Sequence, residues 1–93
     1  MAKHMRKGIS TRLTSFRKYC TEHGIQIEKR DLEFIDKTLD KFPESDFKPI
    51  LQCYINKWYE GMGYTEIVYQ KQNKGRYNAN NWLLERSVGT NSA

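Results

Sequence analysis

Ninety-three residues with 16 basic and 11 acidic side chains, a net charge of +5, suffice for one folded domain and are too few for two cores. No apolar run approaches the roughly 20 residues that cross a bilayer, and the two cysteines, Cys20 and Cys53, form no CxxC pair and follow no signal-peptide pattern. A helical membrane protein and a disulfide-built secreted scaffold are thereby excluded, and a soluble, cytoplasmic chain is expected.

Residues 1–7 are expected to form a flexible basic N-terminus, with Met5 as an alternative start. The first periodic segment, Gly8 to His23, carries Ile9, Leu13, Phe16 and Cys20 on one helical stripe, with Gly24 as a stop in the left-handed conformation. A second helix, Lys29 to Lys41, buries Leu32, Ile35 and Leu39, followed by Phe42, and mixes acids and bases on its other faces. Pro43 breaks the chain, and Ser45 or Asp46 is positioned to cap a third helix. There Phe47, Ile50, Leu51, Tyr54, Ile55, Trp58 and Met62 recur at the strongest helical spacing in the sequence, so this helix should organise the core.

Gly61 and Gly63 end that helix. Thr65 to about Gln72 then reads as a short helix with Ile67 and Val68 as its apolar contacts, Asn73–Gly75 as a turn, and Arg76 to Val88 as a last helix with Ala79, Trp82 and Leu83 inward. A single helix through Gly75 is the alternative, at about 1 kcal/mol relative to alanine. The expected fold is all-α, a compact single-domain bundle of four or five helices over residues 8–88 with a helix-turn-helix-like C-terminal pair, and residues 89–93 as a disordered tail.

Catalysis by a nucleophile and base finds little support. His4 lies in the basic start and His23 at a helix end, where capping explains it; Cys20 shares the apolar stripe of its helix. No Walker loop, dinucleotide fingerprint, HExxH or EF-hand pattern occurs, so neither an enzyme, a cofactor nor a metal is expected.

Charge is polarised along the chain. Met1 to Thr21 holds six basic side chains and no acid, Glu22 to Glu60 holds six basic against nine acidic, and the remainder holds four against two. Such a distribution steers a domain towards a polyanion. The string QKQNKGRYNANN at 70–81 adds amides, which bond adenine edges, to arginine and lysine, which bond guanine and phosphate. Exposed asparagines also give up helix propensity, which suggests another selection on them.

The leading expectation is therefore a nucleic-acid-binding helical domain, with DNA favoured over RNA because the usual RNA-module signatures are missing. Arg6, Lys7, Arg12, Arg17 and Lys18 would grip phosphates, and Lys71, Lys74, Arg76, Asn78, Asn80 and Asn81 would make closer contacts, with Tyr77 on the same exposed side. The alternative is a protein-interaction module, an accessory or inhibitor subunit that docks on an acidic partner through an aromatic anchor such as Tyr59 or Tyr64.

Overall fold

The computed structural model describes residues 11–92, with side chains through Val88, so Arg6, Lys7 and the expected start at Gly8 lie outside the described residues. Four α-helices appear among them: α1 (Thr14–Glu22), α2 (Lys29–Leu39), α3 (Phe47–Met62) and α4 (Lys71–Ser92). Single 3₁₀ turns at Thr11–Leu13, Glu44–Asp46 and Val68–Gln70 precede α1, α3 and α4. No strand occurs in this part of the chain, and no helix of it is long and apolar enough to cross a membrane.

Side-chain contacts fix the directions. Arg12 meets Asp36 and Asp40, so α1 and α2 run opposite ways; Phe16 meets Tyr54 and Tyr59 meets His23, so α1 and α3 run together. Tyr54 bonds Asn80 while Gly61 abuts Lys74, which makes α3 and α4 antiparallel. The result is an up-down-up-down four-helix arrangement.

The expected apolar stripes converge on its centre. Leu13, Cys20, Leu32, Ile35, Leu39, Tyr54, Trp58, Ala79 and Leu83 are fully buried. At roughly 1.5–3 kcal/mol for each large side chain removed from water, this cluster supplies the main drive to fold. Gly24 closes α1 at φ 76°, with Ile25 N–H donating to Cys20 O at 2.9 Å, so the chain turns and Ile25 enters the core.

Several sequence expectations need correction. Helix α2 ends at Leu39 rather than Lys41, where Lys41 and Phe42 instead donate to Thr38 and Leu39 in turn geometry. Neither Ser45 nor Asp46 caps α3 through its side chain; the 3₁₀ turn runs straight into the helix and supplies that order itself. Thr65 to Gln72 is not one separate helix: Thr65 Oγ1 accepts from Ile67 N–H at 3.1 Å ahead of the 3₁₀ turn, α4 already begins at Lys71, and Ile67 and Val68 face solvent.

The expected turn at 73–75, and with it the helix-turn-helix-like pair, is replaced by continuous helix from Lys71 through the tail expected after Val88 to Ser92. Gly75 serves close approach instead. A Cβ there would lie 2.5 Å from Trp58 Cδ1, and one on Gly61 would lie 2.7 Å from Asn78 Cβ, so the two glycines let α3 and α4 touch backbone to backbone.

Candidate functional site

On α4 the core face is largely polar. Gln72, Arg76, Asn80 and Ser87 share the stripe of Ala79 and Leu83, and each meets a partner across or along the bundle. Arg76 and Asn80 meet at Asp31, only 2% exposed in the first turn of α2. Its Oδ2 accepts from Glu28 N–H and from Arg76 Nε, both at 2.9 Å, and its Oδ1 accepts from Asn80 Nδ2 at 3.1 Å. Tyr54 OH donates to Asn80 Oδ1 at 2.6 Å, carrying the network to α3.

Gln72 extends it to the α1–α2 connection. Its Oε1 accepts from Trp58 Nε1 and Gln26 N–H, and its Nε2 donates to Gly24 O. Arg76 donates also to Gln26 O and Asn73 Oδ1, and its guanidinium carbon lies 5.1 Å from the Trp58 ring centroid. No buried side-chain polar atom of the described residues is left without a partner. A network so satisfied offers registry among helices.

Of the nine described residues expected to meet nucleic acid, five, Arg12, Lys71, Arg76, Asn78 and Asn80, are held by partners within the fold. Arg76 and Asn80 bind Asp31, and Asn78 donates to Lys57 O at 2.7 Å. Lys71 Nζ donates to Met62 O and Thr65 O, fastening the end of α3. Arg12 donates to Asp36 Oδ1 at 2.7 Å and Asp40 Oδ1 at 2.9 Å, beside the Phe47 ring. Burial works against its charge, but the hydrogen bonds and charges of the two aspartates outweigh that and raise its pKa. The expected outward placement of Asn78 and Asn80 is thus corrected: with Ala79 and Leu83 inward as expected, the two amides flank that face and satisfy carbonyl and carboxylate groups within the fold. Arg17, Lys18, Lys74, Tyr77 and Asn81 are exposed, as expected, and none of the four polar ones makes an ion pair or side-chain hydrogen bond with another described residue.

Tyr59 OH donates to His23 O, and the His23 ring stacks on Tyr19 with centroids 3.9 Å apart, so both residues close the end of α1. Burial pushes the Cys20 thiol up to about 12, and nearby Asp31 adds to it; burial likewise raises the Tyr54 phenol. Neither group is poised as a nucleophile. Among the described residues no three His, Cys, Asp or Glu side chains cluster to hold a metal ion.

The sequence reading missed a surface feature. A groove of about 360 Å³ opens between α1 and α3, floored by Phe16, Leu51 and Ile55, flanked by Tyr19 and Phe47, and edged by exposed Lys48. Its residues are spread over two helices, and only the parallel packing of α1 on α3 joins them. One signal was available: Phe47 and Leu51 widen the apolar stripe of α3 beyond what one neighbouring helix covers.

No family model matches the chain, and neither a curated protein nor a solved structure shows detectable similarity to it.

Proposed function

We propose that this protein is a non-enzymatic interaction module that receives an acidic, amphipathic helix of a partner protein in the groove between α1 and α3. The observation that carries the reading is the groove itself, an apolar trough between two helices that run the same way. A third helix laid along it would pack on the floor of Phe16, Leu51 and Ile55 and cover the exposed Tyr19, as amphipathic helices do in apolar grooves. The flanks favour acidic side chains on that helix. Lys48 stands at the edge, and no acidic residue lines the groove.

A designed amphipathic helix of about 15 residues, leucine-striped and glutamate-flanked, provides the test when titrated into isotopically labelled protein. Amide shifts should concentrate at Phe16, Tyr19, Leu51 and Ile55. Lys48→Glu should weaken binding about fivefold or more at low salt while leaving the fold intact. Shifts scattered elsewhere, or none at millimolar peptide, would refute the reading.

A second reading, polyanion binding through α1, is favoured by the exposed Arg17 and Lys18, which are free of ion pairs with other described residues. Two phosphate contacts give a shallow salt dependence, a loss of about tenfold between 50 and 200 mM, against 10³ or more for six. Titrating duplex DNA at both salt concentrations separates these cases, and Arg17→Glu with Lys18→Glu should abolish such binding without touching the peptide site.

A further inference from the structure

The face of α4 turned away from the core is a surface that the groove does not use. At 100° per residue, Lys74, Tyr77, Asn81, Leu84 and Glu85 fall within a stripe about 120° wide, opposite Ala79 and Leu83. Tyr77 is 70% exposed and Leu84 49%, each far beyond what core packing leaves open. Lys74, Tyr77, Asn81 and Leu84 recur at spacings of three, four and three, the rhythm of a helix–helix seam, with asparagine in its middle.

We propose that α4 is a self-association surface, on which a second copy of this chain lays its own α4 antiparallel across a two-fold axis near Asn81. The charges select this occupant and this direction. Lys74 near the start of the stripe and Glu85 near its end lie too far apart along one helix to pair, and neither makes an ion pair with another described residue. Antiparallel two-fold packing brings Lys74 of one copy beside Glu85 of the other, twice, on one flank of the seam. The opposite flank sets Tyr77 against Leu84 of the second copy, and the two Asn81 side chains meet at the centre. A parallel pair would place lysine on lysine and glutamate on glutamate.

Shape agrees with charge. A shallow hollow lined by Gln70, Asn73, Lys74 and Tyr77 lies at the start of the stripe, where an antiparallel copy presents the end of its own helix. One helical stripe is smaller than a standard protein interface, so the association is weak, with a dissociation constant on the order of 10–100 µM.

Sedimentation of the full chain from micromolar to about millimolar concentration tests this. The chain should pass from monomer to dimer over that range. Lys74→Glu alone and Glu85→Lys alone should each weaken the dimer about tenfold by setting like charges together, and the double variant K74E/E85K should restore it. Both positions are exposed, and circular dichroism verifies that each variant keeps its helices. A chain that stays monomeric throughout overturns the proposal, as does a dimer that the single reversals leave unchanged or the double reversal does not rescue.

Discussion

Asp31 shows how one carboxylate can hold a small bundle in register. It accepts three hydrogen bonds from α4 and from the start of its own helix, in a site almost closed to water. Asn80 is the branch point, since it links Asp31 to the Tyr54 hydroxyl. Asn80→Ala strands that hydroxyl and one carboxylate oxygen, and should cost about 2–4 kcal/mol in urea unfolding. Adding Tyr54→Phe to it should cost little more, because the hydroxyl has then already lost its acceptor.

Cys20 sets a second residue-scale expectation, in alkali. Its native thiol holds a proton to about pH 12, whereas the unfolded thiol releases it near 9.0, so between those values the unfolded chain binds fewer protons and stability falls as pH rises. Tyr54, also raised, adds to the loss above pH 10.0. Cys20→Ala should flatten the first part of that decline in unfolding free energy between pH 8 and 10, and an unchanged slope would count against the buried thiol.

At the scale of elements, Gly75 decides the shape of the C-terminal half. An alanine in an ordinary helix interior stabilises by about 1 kcal/mol relative to glycine. Here its Cβ would overlap Trp58, so Gly75→Ala should lower the melting temperature, by roughly 5–10 °C. A rise would mean that α3 and α4 are not in backbone contact.

The same glycine explains where sequence reading failed. Apolar periodicity located α1, α2 and α3 within a few residues at their described ends, because each has an apolar stripe and a stop signal. On α4 the core face carries Gln72, Arg76 and Asn80, so its inward side resembles a polar surface and Gly75 resembles a turn. Buried hydrogen bonding has no periodicity of apolar residues to reveal it. Only their partners, Asp31 at the third position of α2 for Arg76 and Asn80 and Trp58 for Gln72, assign those side chains to the interior.

For the molecule as a whole, this polar interior divides the work between faces. The string that looked like a reading head ties α4 to α2, α3 and the α1–α2 connection, so the surfaces proposed to meet other chains are the α1–α3 groove and the outer stripe of α4. The groove was illegible in sequence because it arises from two helices far apart in the chain, whereas the unmatched cations of α1 were plain from composition. The most direct test of this division is a double-mutant cycle in urea between Asp31→Asn and Arg76→Gln. Each single change should destabilise the fold by about 3–5 kcal/mol, with a coupling energy of about 2 kcal/mol or more between them. Small single effects and a coupling below about 0.5 kcal/mol would contradict an inward role for Arg76 and return it to the surface.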